Sequence, residues 1–108
     1  MANTFVNEYY DVTASLATAY TCPASTTAIV LTCRITNVDG TNDATIDAEV
    51  VDTSSGQSYI AYELSVPADT TVELAGTSKL VLEAGDVIKL KASAASDLEA
   101  FFSVLEIT

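Results

Sequence analysis

The residues of this chain that could act chemically are its carboxylates, its two cysteines and its five tyrosines. No histidine accompanies them. There is therefore no imidazole base near neutral pH, no Ser-His-Asp or Cys-His arrangement and no His-based zinc site. Cys22 and Cys33 are too few and too far apart in sequence for a zinc cage. Cys33 falls among the apolar positions of an alternating segment, where a free Cys behaves as a small hydrophobe. Cys22 lies in a Tyr20-Thr21-Cys22-Pro23 turn and is expected to be partly exposed. An intracellular origin keeps both as thiols. Nothing here pairs a nucleophile with a base, so no enzyme and no cofactor are expected.

One segment has the donors for a hard cation. Asp39, Asn42 and Asp43, in Asp39-Gly40-Thr41-Asn42-Asp43, bring three oxygen-bearing side chains within a short turn. The run lacks the longer ligand series, ending in Glu, of an EF-hand, and Asx residues in turns commonly cap their own backbone. That local role is the expected one, and it holds equally for Glu83 and Asp86. Glycoside hydrolysis needs two carboxylates flanking a cleft, and no spacing here places two that way. The tyrosines could stack on sugar rings, but there is no Trp and no cluster of Tyr on one strand. Packing at subunit contacts, with the hydroxyls kept wet, is the expected use.

The elements that must position these residues are strands. The 108 residues are 49 % apolar and 18 % charged, enough for one core without staples or metal. Ile29, Leu31, Cys33 and Ile35 alternate with polar or smaller neighbours, and Ala44, Ile46, Ala48 and Val50 do the same. Asp39-Gly40 marks the hairpin turn between these segments. A third segment carries Ile60, Tyr62, Leu64 and Val66 on one face. Short strands continue at Thr71-Leu74, Lys79-Glu83, Val87-Ala92 and Leu98-Ile107, with turns at Ala75-Gly76-Thr77 and at Glu83-Ala84-Gly85-Asp86. Two more strands are read before Thr21. The pattern predicts an all-β antiparallel sandwich or jelly roll of about eight short strands, one domain over residues 1–108. Residues 1–8 are read as an extended arm. The expected core holds Ile29, Leu31, Ile35, Ile46, Val50, Ile60, Leu64, Leu90 and Phe102, with Arg34, Asp47, Glu49, Lys89 and Lys91 outside.

Charge narrows the partners. Fifteen acids against four bases give a net charge of -11. Nucleic-acid binding draws its affinity from Lys and Arg, and four scattered cations form no basic stripe. Attraction to an anionic membrane fails for the same reason. Acidity of this kind keeps crowded copies soluble, so close association must come from apolar or backbone contacts. The final strand supplies them, because Phe101, Phe102, Val104, Leu105 and Ile107 are apolar at both parities. Contact with other subunits is expected through Asn3, Phe5, Tyr9, Tyr10, Tyr59, Phe101, Val104, Leu105 and Ile107.

Several phrases recur in a fixed order: Tyr20-Thr21-Cys22-Pro23-Ala24-Ser25-Thr26-Thr27, Asn37-Val38-Asp39-Gly40, Val66-Pro67-Ala68-Asp69, Lys79-Leu80-Val81-Leu82-Glu83-Ala84-Gly85-Asp86 and Ser103-Val104-Leu105-Glu106-Ile107. In these phrases the chain, over about residues 18–108, resembles small β-sandwich bacteriophage virion proteins. The resemblance implies a non-enzymatic capsid decoration (cement) protein, or a small neck, tail or fibre component. It also implies a homo-oligomer, most simply a trimer at a local threefold point, bound to the major capsid protein or other virion proteins. Such a protein is assembled in the host cytoplasm and ends in the virion. A virion-displayed glycan-binding module is the alternative.

Overall fold

The computed structural model describes residues 2–54, 56–75 and 78–108. Gly76 and Thr77 of the turn read after Ala75, and Ser55 of the turn after Asp52, lie outside the described residues. Nine strands are present among the described residues: β1 (Asn3–Asp11), β2 (Ala17–Thr21), β3 (Thr27–Asn37), β4 (Ala44–Val51), β5 (Gln57–Val66), β6 (Thr71–Glu73), β7 (Leu80–Leu82), β8 (Val87–Ala92) and β9 (Leu98–Ile107). No helix occurs among the described residues. One sheet runs β1-β9-β3-β6, with β7 also on β3, and the other runs β2-β8-β4-β5. Every pairing is antiparallel.

The partners nest. β1 pairs with β9, β2 with β8, β3 with β6 and β7, and β4 with β5. That is one long hairpin rolled up on itself, which defines a jelly roll. β6 and β7 take successive stretches of β3, Arg34 to Thr36 and Ala28 to Val30, so together they fill a single position. Nine strands therefore occupy the eight places that the alternation predicts.

The core lies between the sheets and is built from Val30, Ile35, Ile46, Leu82, Ile88, Leu90, Leu98, Phe102 and Val104, all fully buried. Ile35, Ile46, Leu90 and Phe102 are where the alternation puts them, and Val50 and Ile60 pack partly buried against the same cluster. Two expected core residues are not there, because β3 contains a bulge. Val30 pairs with Val104 and Thr32 with Ser103, which leaves Leu31 as an extra residue. The inward face is Ala28 and Val30 before the bulge, then Cys33 and Ile35 after it. Ile29 and Leu31 consequently lie on the outer side, half-buried. An extra residue inverts the in-and-out phase of everything beyond it.

β5 departs from alternation for the same reason. Its register against β4 shifts on both sides of Ala48, and Glu63 takes φ 49° while its N–H donates to Asp47 Oδ1 at 2.7 Å. Leu64, expected inside, is 39 % exposed. Glu49, expected outside, is only 3 % exposed, flanked in register by Lys89 of β8 and Tyr59 of β5. Long side chains on either side can cover a carboxylate stem without leaving the surface.

Two polar devices hold β3 in place. Asn37 is buried; its Nδ2 donates to the carbonyls of Asn42 (3.0 Å) and Val66 (2.9 Å), and its Oδ1 accepts from Asp39 N–H (2.8 Å). At the gap between β6 and β7, Glu73 Oε2 accepts from the N–H groups of Cys33 (2.7 Å) and Ala75 (3.1 Å). Lys79 Nζ donates to Leu31 carbonyl at 3.4 Å in the same gap.

These placements fix an order of stabilities. Ile35→Ala is expected to cost about 2–5 kcal/mol in urea unfolding, whereas Ile29→Ala costs less than about 1 kcal/mol despite identical chemistry. Equal losses would mean that the phase of β3 does not invert at Leu31. Glu73→Ala strands the Cys33 N–H and should cost about 1–3 kcal/mol in the same assay, with Glu73→Gln retaining most of the stability.

Candidate functional site

The outer face of the five-stranded sheet gathers most of the expected contact residues. Val6 and Tyr10 of β1 turn toward the core, so Asn3, Phe5, Asn7, Tyr9 and Asp11 point outward. On β9 the buried set is Leu98, Ala100, Phe102 and Val104, leaving Phe101, Ser103, Leu105 and Ile107 outside. The ladders then align whole rows across the sheet. Phe5 lies opposite Leu105, Leu105 opposite Ile29, and Ile29 opposite Val81. This row crosses four strands without a charge, and its ends, Phe5 and Val81, are 73 % and 64 % exposed.

A second row runs Tyr9, Phe101, Arg34, Glu73. The Tyr9 and Phe101 rings are tilted with centroids 5.4 Å apart, and Arg34 Nε is 3.7 Å from Glu73 Oε1. Asn7, Ser103 and Thr32 fill the row between. Ile107 stands between Asn3 and Thr27 at the far end. Among the paired strand residues of this face the acids are Glu73, faced by Arg34, and Asp11 opposite Glu99 at one edge. The outer face of the other sheet is different in kind. There Asp47 faces Lys91 and Glu49 faces Lys89, with Glu63 nearby on the edge strand.

Three expected contact residues lie elsewhere. Val104 is wholly buried in the core and Tyr10 is half-buried on the inner side of β1. Tyr59 is on β5 of the other sheet, where its ring meets Tyr62 edge-on with centroids 4.9 Å apart. These two do form a tyrosine cluster on one strand, which the sequence reading did not find. It also missed Ile29, Val81 and Arg34 as surface partners of Phe5 and Tyr9. Arg34 lies outside as the alternation puts it, whereas the parity of Ile29 becomes readable only once the bulge is known.

The turn at residues 39–43 spends its oxygens locally. Asp39 Oδ1 accepts from the N–H groups of Thr41 (2.8 Å) and Asn42 (3.1 Å), and its Oδ2 accepts from Asn42 Nδ2 (3.2 Å). Those donors hold the Asp39 carboxyl below its ordinary range. Asp43 Oδ1 is turned away to accept from Ala68 N–H at 3.0 Å. Asp39, Asn42 and Asp43 thus do not converge on a common point, and no group of three or more acidic, Cys or His ligands occurs among the described residues. Asp86 likewise closes its own turn, accepting from Glu83 N–H at 2.9 Å. Gly85 is needed there: φ is +88°, and a Cβ would sit 2.6 Å from Thr53 Cγ2.

The thiols are free and both buried, which corrects the partial exposure expected for Cys22. Cys22 Sγ donates to Thr26 carbonyl at 3.3 Å. Burial pushes both thiols up, Cys33 to about 12 from an ordinary 9.0, with Glu73 adding to the effect. Surface clefts are shallow; one of about 270 Å³ lies between Asp11, Val12 and Leu98.

No protein-family model matches the sequence, and no curated protein does. Among solved structures, the chain is similar to a Bacillus endospore appendage of a family of disulfide-linked pili, at 16 % identity and a TM-score of 0.56. That match covers 99 % of this chain and 87 % of the other. It is similar to the same degree to a chain of the acidic stable capsid of Helicobacter pylori bacteriophage KHP30, at 12 % identity, TM-score 0.56, over 100 % and 89 %. A pentameric capsid protein from metagenomic phage sequences matches more loosely, with a TM-score of 0.46 at 17 % identity over 91 % and 59 %. At such identities the likeness is one of fold.

The buried thiols give a measurable consequence. A group whose folded-state pKa is raised stabilises the fold below its unfolded value, and the contribution is lost as pH rises through the folded value. For Cys33 that window runs from 9.0 to about 12. Stability should therefore decline over that range in wild type and decline less in Cys33→Ala. At pH 8 a thiol reagent should label neither cysteine until the protein is unfolded; prompt labelling of Cys22 would contradict its burial.

Proposed function

We propose that this chain is a non-enzymatic structural subunit of a bacteriophage virion, a decoration (cement) protein that attaches to the capsid by the outer face of its five-stranded sheet. The observation that carries the reading is the charge-free row Phe5, Leu105, Ile29, Val81 on a chain of net charge -11. An apolar surface on so acidic a protein is suited to being covered. Its partners are the major capsid protein or other virion proteins, and copies of itself; the trimer is the assembly that the resemblance implies. Assembly in the host cytoplasm accords with two free thiols.

Two observations favour a capsid over a disulfide-linked appendage, although both folds are equally similar. Both cysteines of this chain are buried and offer no sulfur to a neighbouring copy. The ordered phrases of the sequence also resemble virion proteins. A displayed glycan-binding module has the Tyr59 and Tyr62 pair behind it, but rings set edge to face present no single flat platform for a sugar.

Co-sedimentation with capsids lacking this protein tests the reading. Wild type should bind, and Val81→Asp and Ile29→Asp should each weaken binding about tenfold or more, roughly 1.4 kcal/mol, with unchanged circular dichroism. Failure of wild type to bind, or binding indifferent to both substitutions, would overturn it. Counting the chain in purified virions separates capsid from neck or tail: stoichiometry matching the capsid subunits supports decoration.

A further inference from the structure

The two most exposed large apolar side chains, Phe5 and Tyr9 at 73 % each, stand on the same strand. That strand, β1, is also an open sheet edge, with β9 on one side and no strand among the described residues on the other. Proteins usually blunt such edges by shortness, bulges, Pro or charge. The other edges of this fold are blunted. β6 and β7 are three residues each, β2 is five with a register shift, and β5 is broken twice and takes a positive φ at Glu63. β1 keeps nine residues in unbroken register with β9 and contains neither Gly nor Pro.

Its hydrogen-bonding phase follows from its ends. Ala2 and Thr108 exchange N–H···O bonds in both directions (3.3 and 2.9 Å), and Val12 N–H donates to Leu98 carbonyl at 3.0 Å. Antiparallel ladders alternate bonded and non-bonded pairs, so the even-numbered residues between these ends bond β9. Asn3, Phe5, Asn7, Tyr9 and Asp11 therefore turn their N–H and C=O groups to the open edge.

We propose that β1 pairs antiparallel with the β1 of a second copy about a two-fold axis at Asn7, joining two five-stranded sheets into one. This pairing rests on the self-association proposed above and supplies its surface as a two-fold dimer in place of the trimer that the resemblance implies. In this register Asn7 meets Asn7 of the second copy, Phe5 meets Tyr9 and Asn3 meets Asp11. All five open residues of each strand find partners. Moving the axis by one residue leaves one of them unpaired on each strand, and moving it to Glu8 sets two carboxylates face to face.

Side-chain chemistry selects the same register. The Asn3 amide can donate to the Asp11 carboxylate, and Glu8 lies opposite Val6 instead of another acid, which matters between two chains of charge -11. Phe5 lands beside the Tyr9 that already touches Phe101, so the apolar row of one copy runs on into the aromatic row of the other. Aromatic cross-strand pairs are among the more stabilising in sheets. Because net charge opposes the contact, added salt should tighten it.

Sedimentation equilibrium and amide exchange on the unmodified chain test this. Wild type should have twice the chain mass, and the amides of Phe5, Asn7 and Tyr9 should be protected along with the even-numbered ones. Asn7→Pro removes one open-edge donor and no bond to β9, so it should halve the mass while leaving thermal unfolding of the domain in place. Phe5→Lys and Tyr9→Glu should each weaken the dimer, and the double variant should restore it, because the two positions face each other. A monomer at high concentration, a threefold mass, or a dimer in which Phe5, Asn7 and Tyr9 exchange freely would overturn the edge contact. None of these results bears on capsid binding through Ile29 and Val81, so the two proposals fail separately.

Discussion

The structure depends on β3 being the strand that β9, β6 and β7 all share. A strand with partners on both edges and a core against one face has little freedom, yet β3 carries an extra residue at Leu31. The bulge lies where β7 has ended and β6 has not begun, and among the described residues Leu74 N–H reaches this edge, donating to the Cys33 carbonyl at 2.8 Å. Side chains supply the missing bonds. Glu73 receives the Cys33 N–H and Lys79 donates to the Leu31 carbonyl, so charged side chains take the place of strand partners at two backbone groups. An unpaired buried N–H or C=O would cost about 1–3 kcal/mol, a sizeable part of the stability of a domain this small. The nested hairpin can thus change phase in its middle with the Cys33 N–H and the Leu31 carbonyl both bonded.

The change of phase decides what the surface becomes. With Ile29 turned outward, β3 joins Leu105 to Val81 and completes an apolar row. Charge is partitioned accordingly. Asp47, Glu49 and Glu63 sit with Lys89 and Lys91 around the other sheet, while Asp11 and Glu99 are held at one end of the apolar face. At physiological salt the screening length is about 8 Å, less than the thickness of a two-sheet sandwich, whose layers alone lie about 10 Å apart. Acids on one face hardly influence an approach to the other. A chain of charge -11 can therefore stay soluble at high concentration and still present one surface on which contact is favourable.

Much of this was legible in the residues and some of it was not. The all-β class follows from period two, but the number and spacing of strands left sandwich and jelly roll open, and the Asp39-Gly40 turn read as a hairpin instead carries the chain from β3 in one sheet to β4 in the other. The core positions Ile35, Ile46 and Leu90 follow from alternation with polar neighbours. Ile29, Leu31 and Leu64 do not, because Val30 and Ile29 are equally apolar and neither composition nor spacing marks the extra residue. Val104 looked like surface because β9 is apolar at both parities, and only its pairing shows which parity is inside. Asn37 reads as an ordinary turn residue, but it closes three bonds from a buried position because Val66 and Asn42 happen to end beside it. The outer-face residues Phe5, Tyr9, Phe101 and Leu105 were legible singly; the row that they form required the register.

A jelly roll serves appendages and capsids alike, so the fold does not choose between them. The choice lies in what each surface offers to a neighbour. A covalent pilus link needs a sulfur at the surface in thiolate form, and this chain hides both sulfurs where burial keeps them protonated. What it exposes instead is an apolar row and one unblunted strand edge that meet along β1. Contacts of those kinds are reversible one at a time and add up when many are made together on a shared surface. That behaviour suits the shell subunit proposed above, where each contact can be modest because a lattice holds the neighbours in place.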